Sequence, residues 1–401
     1  MLYIETLFDN SHKNPKPLVT GFLNSSNPND IAIIDLWLPN KSMSIEKAES
    51  KTQKFLKDVI LEADSFSIND WKTHILALNL LPWNYNVFCR PSININDKKL
   101  SPQELVKKRL IESYNNNKNN PRPDWQKILA KSHFAYAHIE KIGVSNGINT
   151  LYPIYSTDTF TGRSKTTGFV LQGQNEDSII LPHEGHSWFI QFDWTAADTR
   201  IASLLSKDAL LESVFQNWGD PYAVMIDKKR AQGIPDNRNN IKKEWLRALY
   251  SMDVNSAIVS YFPQFKRWMQ QQIENIDKFG KLPSLFGREF KLSDHPDKDE
   301  HGKRAVFNAI LQGSVAHAMH ATLYKVCEKF PKNVFTEIHD SLIMSCAENE
   351  IETIIQQVGK IMSRPFSDVS NDNPVFPIKV SIGKEWKKWK EIKGIEKCLM
   401  T

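Results

Sequence analysis

The chain has 401 residues, 41% of them hydrophobic, which is enough for a large core divided over two or three domains. Its formal charge of +5 is only mildly basic, so binding to nucleic acid would depend on local basic patches rather than on bulk charge. The four cysteines show no paired spacing typical of a metal site, which indicates reduced thiols.

No targeting or membrane-spanning segment is evident in the sequence. The amino terminus carries Glu5 early and has no long apolar core, which argues against a signal peptide. No stretch approaches the roughly 18 uninterrupted apolar residues of a membrane helix. We therefore expect a protein without membrane contact that acts in the cytoplasm, either of its own cell or, if a virus or plasmid encodes it, of the host.

The first hundred residues alternate between strand and helix patterns. An apolar run from Ile31 to Leu38 ends at Pro39 and predicts a buried strand. A helical pattern begins near Ser44, and an apolar helix is predicted around residues 75–80. Together these elements predict a small α/β domain over residues 1–100.

Residues 101–155 show two helical patterns separated by a polar stretch. Leu105 to Tyr114 and Trp125 to His138 predict the two helices. The Asn-rich stretch from Asn115 to Pro121 predicts a loop between them. Much later in the chain, the highly charged segment from Asp294 to Lys303 predicts a solvent-exposed loop.

Two aspartates stand at the ends of apolar runs. Asp193 follows a predicted strand at Trp188–Ile190, and Asp340 follows another at Val334–Ile338. A carboxylate at the end of a buried strand is unfavourable unless it is solvated, paired or bound to a metal. Two such carboxylates, brought together from distant parts of a chain, are what a two-metal phosphoryl-transfer site requires.

Two further segments place the side chains of interest at intervals of four residues. In the first segment, which lies between the two aspartates, these are Arg238, Lys242, Leu246 and Tyr250. On a helix this interval rotates by only about 40° per step, so the side chains share one face. The two cations suit a triphosphate, and the aromatic ring suits a base. In the second segment the residues are Arg304, Asn308 and Gln312.

In this order the motifs resemble those of the A-family DNA polymerases, the bacterial polymerase I group. Thr159–Arg163 precedes the first aspartate, Leu285–Arg288 follows the basic helix, and Gly383 to Trp386 complete the set. The resemblance covers roughly residues 155–390. It implies an α+β right-hand polymerase with an antiparallel palm sheet, helical fingers and a short thumb.

The resemblance also implies a domain order. Palm and fingers would occupy residues 156–401, with the fingers at about 206–290, and residues 101–155 would form the short thumb. Residues 1–100 would be a reduced 3′–5′ exonuclease-like domain. Trp37 stands where that nuclease needs a metal-binding acid, and Thr73 or His74 stands where its next motif needs an aspartate. We therefore predict that the domain has no proofreading activity.

The implied chemistry is template-directed DNA synthesis by a nucleotidyltransferase. Asp193 and Asp340 would bind two Mg²⁺ ions about 4 Å apart, with Mn²⁺ as an alternative. The implied nucleotide-binding residues are Arg238, Lys242, Leu246, Tyr250, Asp198 and Tyr222. The implied DNA-binding residues are Thr161, Arg163, Arg288, Arg304, Asn308, Gln312 and His339. The implied partners are primer–template DNA and deoxynucleoside triphosphates, and any processivity partner is left open.

The sequence departs from the family pattern at several of these positions. Asp198 stands where the family usually has glutamate beside the ribose 2′ position, and Leu246 replaces an aromatic residue. Both changes enlarge the sugar pocket, which predicts weaker discrimination against ribonucleotides. Ser251 replaces a glycine, Ser341 replaces an acid, and Tyr222 stands where a histidine is common.

Other interpretations remain for individual motifs. His339-Asp340 could belong to a metal phosphohydrolase, although such pairs lie on helices and this one lies in a predicted hairpin. His317 and His320 could bind zinc, but no second ligand pair accompanies them on their predicted helix. Trp386 could stack on nucleic acid, although packing in the core is the simpler account. A catalytically weak, polymerase-like protein that only binds primer–template is the alternative function.

Overall fold

The computed structural model describes residues 2–9, 16–24, 27–35, 65–68, 86–89, 101–117, 124–157, 159–366 and 374–395. The chain divides into two compact units, residues 1–137 and 138–401. No helix among the described residues is both long enough and apolar enough to cross a membrane. The predicted domain boundaries near residues 100 and 155 remain predictions.

A five-stranded sheet forms most of the described part of the first unit. Its strands are β1 (Leu2–Asp9), β2 (Lys16–Asn24), β3 (Asn27–Asp35), β4 (Ser65–Ile68) and β5 (Asn86–Cys89). Their order is β3-β2-β1-β4-β5. The first three strands pair antiparallel, whereas β4 and β5 run parallel to β1.

The strand predicted at Ile31 to Leu38 is confirmed as far as Asp35, but it is the third strand of the chain. The two earlier strands were not predicted. β2 gave no clear strand pattern because it contains Pro17 and Gly21, which disfavour a regular strand. The helices predicted near Ser44 and at residues 75–80 lie outside the described residues.

The two predicted helices that follow are confirmed, and both are longer than predicted: α1 spans Pro102–Asn117 and α2 spans Asp124–Ile142. At the start of α1 the Ser101 hydroxyl accepts the Glu104 amide N–H, while the Glu104 carboxylate accepts the Ser101 amide N–H. This reciprocal capping box fixes the first turn. The loop predicted from Asn115 was wrong for Asn115–Asn117, because the helix continues through these residues.

The second unit is built on another five-stranded sheet, in which every neighbouring pair is antiparallel. Its strands, in spatial order, are β13 (Val334–Ile338), β14 (Ser341–Cys346), β10 (Trp188–Trp194), β15 (Ile378–Gly383) and β16 (Lys390–Glu391). The strands predicted before both aspartates are therefore confirmed. β10 lies at the centre of the sheet, so Asp193 is at the end of its most enclosed strand.

Helices and short hairpins complete the second unit. The helices are α3 (Ala197–Ser206), α4 (Ala209–Gln216), α5 (Pro221–Ala231), α6 (Arg238–Ser251), α7 (Pro263–Phe279), α8 (Glu300–Lys329) and α9 (Ile351–Ser363). The hairpins pair β6 (Val144–Ser145) with β7 (Thr150–Leu151), β8 (Pro153–Ser156) with β9 (Lys165–Gly168), and β11 (Lys281–Pro283) with β12 (Glu289–Lys291). The predicted solvent loop from Asp294 ends at Asp299, since α8 begins at Glu300.

The closing motif of the chain is part of the core. Trp386 is only 1% exposed and packs with Phe189 and Phe335, which confirms the packed interpretation of this side chain. Gly383 is required where β15 ends, because a Cβ at this position would lie 2.6 Å from the Lys388 carbonyl oxygen. The Gly-x-x-Trp pattern therefore lets the chain fold back onto the sheet.

A half-buried acid in α2 gives the second unit a pH-dependent stability. The Glu140 carboxylate accepts the Tyr155 amide N–H, and burial raises the pKa of Glu140 to about 8. A carboxyl whose pKa is raised by folding destabilises the fold progressively as pH rises from its ordinary pKa near 4.5 to its folded pKa near 8, and the loss is complete above that pH. We expect Glu140→Gln to raise stability at pH 9 by on the order of 2 kcal/mol, allowing for partial exposure.

Thermal unfolding followed from pH 6 to pH 9 measures this effect, with the exposed Glu184→Gln as the control. The wild type should lose stability across this range more steeply than Glu140→Gln. If stability falls equally steeply with pH in the two proteins, folding does not raise the pKa of Glu140.

Candidate active site

A pocket of about 300 Å³ lies at the end of β10. It is lined by Asp193, Trp194, Thr195, Ala196, Ala197, Asp198, Thr199, Tyr222, Arg238, Lys242, Leu246, Tyr250, Asp340 and Lys379. The two predicted metal-binding aspartates and all six predicted nucleotide-binding residues are among them. Side chains from β10, the β13–β14 turn, α3, α5, α6 and β15 thus converge on one space.

The two aspartates are brought together by the sheet. Asp193 pairs with Ser341 on β14 and with Lys379 on β15. Asp340 lies at the tip of the two-residue turn between β13 and β14, and its carbonyl accepts the Trp194 amide N–H at 3.2 Å. His339, the other residue of this turn, has a φ of 60°. The predicted hairpin is confirmed, and its tip is held against the end of β10.

Burial makes the negative charge of both aspartates unfavourable. It raises the pKa of Asp193, although a hydrogen bond donated by the Ser341 hydroxyl to that carboxylate acts in the opposite direction. Burial, reinforced by the charges of Asp193 and Asp198, raises the pKa of Asp340 to about 6. Two adjacent buried carboxylates favour either a proton or a cation between them. Hard oxygen donors of this kind suit a divalent ion such as Mg²⁺.

Helix α6 presents the predicted four-residue repeat to the pocket. Its opposite face is buried through Ile241, Trp245 and Leu249. Asn237 caps the helix by accepting the Asn240 amide N–H at 3.1 Å, which fixes the first turn. The repeat at positions 238, 242, 246 and 250 therefore lies along the solvent-facing side, and its predicted shared face is confirmed.

Arg238 is held in place by two contacts from the start of α5. Its Nε donates to the Asp220 carboxylate at 2.5 Å, and its guanidinium lies 5.0 Å from the centroid of the Tyr222 ring. Tyr222 itself is buried. The Asp220 contact raises the pKa of Arg238, so the cation is fixed at the mouth of the pocket. Lys242 is exposed and has no ion pair of its own among the described residues.

Asp198 and Tyr250 close another side of the pocket. The Tyr250 hydroxyl donates a hydrogen bond to the Asp198 carboxylate, and the Arg163 guanidinium lies 3.8 Å from the same carboxylate. The Asn308 side-chain amide donates to the Tyr250 carbonyl at 3.2 Å. Because α3 begins at Ala197, Asp198 is in its first turn, close after Asp193. The Tyr250 hydroxyl is thus held by Asp198, and the backbone of Tyr250 is held by Asn308.

The sequence did not single out Ser341 as a contact of Asp193, nor Lys379 as a pocket residue. Lys379 faces the pocket from β15 and lies 3.5 Å from the Glu391 carboxylate. The alternation of buried Ile378 and Val380 with the exposed lysine is visible in the sequence. The sequence does not show which strand lies beside β15, because strand pairing and register are set by the folded sheet.

The other predicted residues lie outside the pocket. Arg288 supports the 159–163 segment: its guanidinium donates to the Phe160 carbonyl at 3.3 Å and passes so close to Gly162 that a Cβ there would lie 2.3 Å from it. His320 Nε2 is 3.1 Å from the Gly162 carbonyl, which agrees with a packed histidine rather than a zinc ligand. Thr161 and Arg163 lie in the segment supported in this way.

Helix α8 carries the last predicted group. Arg304, Asn308 and Gln312 are half-buried, while most of the later part of the helix is fully buried. A stripe of polar residues on an otherwise buried helix marks a partly open face. His339 is exposed at the turn beside Asp340. The predicted site residues thus fall into two groups. The metal-binding and nucleotide-binding residues line the pocket, whereas the predicted DNA-binding residues lie outside it.

The profile of DNA polymerase family A matches residues 253–388. The chain is related to the A-family DNA polymerases. The thermostable DNA polymerase I of Thermus filiformis is 24% identical over 270 residues, covering 57% of this chain and 31% of the relative. The corresponding enzyme of Thermus aquaticus is 23% identical over 278 residues, covering 59% and 32%. The chain therefore spans about a third of the length of these relatives.

The fold resembles that of a solved A-family structure. The POL domain of Pol1 from M. smegmatis, in complex with DNA primer–template and dNTP, has a TM-score of 0.64 at 13% identity, covering 96% of this chain and 95% of that one. The predicted α+β polymerase fold is thereby confirmed. The profile match contains Asp340 and the α8 residues but not Asp193 or α6. Their grouping with Asp340 therefore depends on the geometry of the pocket.

Proposed function

We propose that the chain is a template-directed DNA polymerase that adds deoxynucleotides to the 3′-hydroxyl of a primer. The observation that carries the proposal is one pocket in which Asp193 and Asp340 lie on one side, with Arg238 and Lys242 on a facing helix. The relatives are named DNA polymerase I, and the structural neighbour holds primer–template and dNTP.

The proposed mechanism assigns the chemistry to the pocket residues. Two Mg²⁺ ions, or Mn²⁺ in their place, would be held by Asp193 and Asp340, and would activate the primer hydroxyl and stabilise the leaving pyrophosphate. Phosphoryl transfer depends mainly on positioning and charge neutralisation. Lys242 and Arg238 neutralise the triphosphate, with Arg238 oriented by Asp220. Tyr250 provides a surface for the incoming base pair and sugar.

Primer–template would occupy the open faces outside the pocket. Thr161 and Arg163 contact the duplex from a segment braced by Arg288, and His339 lies beside the reacting strand. The α8 residues Arg304, Asn308 and Gln312 would read minor-groove acceptors that every correct base pair presents. Such contacts would recognise pairing geometry without reading a particular sequence.

Extension of a labelled primer on a DNA template, with Mg²⁺ and the four dNTPs, tests the proposal. Mg²⁺-dependent extension supports it. No extension while primer–template binding is intact would favour the alternative of a polymerase-like binding protein. That alternative is favoured by one observation: Ser341, bonded to Asp193, stands where the family has an acid.

The sugar pocket is proposed to discriminate weakly against ribonucleotides. Asp198 is held by Tyr250 and is one methylene shorter than glutamate, which leaves space beside the ribose 2′ position. We expect Asp198→Glu to raise the preference for dNTPs over rNTPs about tenfold, a change of roughly 1.4 kcal/mol. The ratio of kcat/KM values for dNTP and rNTP measures it. Asp227→Glu, on the exposed side of α5, is the control, and an unchanged ratio in Asp198→Glu would refute the role of this side chain.

Residues 1–100 are proposed to be an exonuclease-like domain that has lost proofreading, and residues 101–155 a short thumb. The mixed sheet with β1 at its centre is compatible with such a domain. We expect no Mg²⁺-dependent shortening of a primer with a mismatched 3′ end in the absence of dNTPs. Shortening that disappears when acids within residues 1–100 are replaced would show an active nuclease. Shortening that survives those replacements would point to a contaminant.

A further inference from the structure

We propose that His295, Asp297 and His301 form a binding site for a transition-metal ion of the Zn²⁺ class, separate from the pocket. One nitrogen of each histidine and one carboxylate oxygen all lie within 4.8 Å of one another. The two imidazole centroids are 5.6 Å apart. None of these residues lines the pocket between Asp193 and α6, and none has a role in the proposed polymerase chemistry.

The loop that carries two of the ligands is fitted closely onto the start of α8. Only glycine fits at position 302, because a Cβ there would lie 2.1 Å from the Asp297 carbonyl oxygen. This close approach brings Asp297 beside His301, whose Nδ1 is 2.9 Å from the Asp297 carboxylate. The close packing of the loop against the first turn of α8 therefore places His301, the third ligand, next to Asp297.

Two side chains other than the proposed ligands, those of Asp299 and Lys298, hold this arrangement. Asp299 caps α8 by accepting the His301 amide N–H at 2.9 Å and the Gly302 amide N–H at 3.3 Å. The Lys298 ammonium donates to the Leu292 and Ser293 carbonyls at 2.8 and 2.7 Å. These contacts hold the loop without the help of an ion, which would lower the entropy lost on binding.

The donor set selects the class of ion. Two imidazoles and one carboxylate suit Zn²⁺, Co²⁺ or Ni²⁺, whereas Mg²⁺ prefers oxygen ligands alone. Tetrahedral ligands at about 2.1 Å from the ion are separated by about 3.4 Å, so no pair of ligand atoms needs to close by more than about 1.4 Å. The His301–Asp297 pair already lies within this distance. Asp297 and His301 are 53% and 64% exposed, so their side chains can move and water can complete the coordination.

An ion at this site would act on the segment proposed to contact DNA. The His295 ring lies 5.4 Å from the Phe160 ring in an edge-to-face arrangement, and Phe160 is in the 159–163 segment. Binding would fix His295 and so restrain its neighbour. This consequence rests on the proposed function, whereas the metal site itself does not.

Cobalt binding by the full chain tests the site. The protein is freed of metal with a chelator and titrated with Co²⁺ at pH 7.5 in millimolar Mg²⁺, which is added to compete for the carboxylate pair in the pocket. Visible absorption of Co²⁺ reports histidine ligation, and Zn²⁺ is then added as a competitor. The variants are His301→Gln and Asp297→Asn, with the neighbouring Asp294→Asn as the matched control.

We expect one Co²⁺ per chain, displaced by Zn²⁺, with affinity at least tenfold weaker in both variants and unchanged in the control. Zn²⁺ should also raise the melting temperature of the wild type and of Asp294→Asn, but not of His301→Gln. Absence of saturable Co²⁺ binding, or equal affinity in wild type and His301→Gln, would overturn the proposal. No DNA or nucleotide is present, so the result is independent of whether the chain extends primers.

Discussion

Replacing either Asp193 or Asp340 by asparagine is expected to reduce the rate of primer extension at least about a thousandfold, while leaving primer–template binding intact. Each change removes a negative charge at the position where the proposed divalent ions must be held. Asparagine keeps the shape of the side chain, so packing around β10 and the β13–β14 turn is preserved. Single-turnover extension of a labelled primer measures the loss, and a gel-shift assay measures DNA binding.

The melting temperatures of the two asparagine variants serve as the control for folding. Because burial raises the pKa of both aspartates, neutralising either one should not lower the melting temperature in the absence of divalent ions. Asp227→Asn, on the exposed side of α5, should extend primers like the wild type. A folded variant at Asp193 or Asp340 that still extends within tenfold of the wild-type rate would contradict the assignment of that residue.

Replacing Lys242 by alanine is expected to lower kcat/KM for dNTP incorporation about a hundredfold. The Lys242 ammonium lies on the pocket face of α6 and contributes to the positive field at Asp193. A charge-assisted contact with a phosphate group contributes about 2–3 kcal/mol in a partly desolvated site, which corresponds to a loss of this size. Steady-state incorporation of a single correct dNTP measures it.

The chain provides a matched control in the next residue. Lys243 is also exposed but does not line the pocket, because one step along a helix turns the side chain by about 100°. Lys243→Ala should therefore stay within about threefold of the wild type. Equal losses in the two variants would show that general positive charge on α6 matters, and not a specific contact with the triphosphate.

The pocket could be predicted from the sequence because its signals are local. Asp193 lies near the end of one apolar strand and Asp340 follows another, and the four-residue repeat from Arg238 to Tyr250 shares a helix face through its spacing alone. Lys379 and the contact between Ser341 and Asp193 depend on which strands become neighbours. That information is absent from any one segment, so these two residues could not be assigned from the sequence.

The first unit illustrates a different limit. The strand at Ile31 was recognisable from its apolar run, whereas β2 contains Pro17 and Gly21 and gave no clear pattern. The order of the sheet, with two parallel strands beside an antiparallel ribbon, is a long-range property.

In the second unit, the charged segment before α8 likewise predicted only a loop, because the close approach of Asp297 to Gly302 exists only in the folded chain.

Insertion of single nucleotides opposite each of the four template bases is the most direct test of the central claim. Each dNTP is supplied alone with Mg²⁺, the wild type and Asp340→Asn are compared, and the extended primer is quantified. We predict insertion by the wild type of the complementary dNTP in every case, with mismatches far slower and no insertion by the variant. Insertion that ignores the template base, or no insertion by wild-type protein that binds primer–template, would contradict a template-directed polymerase.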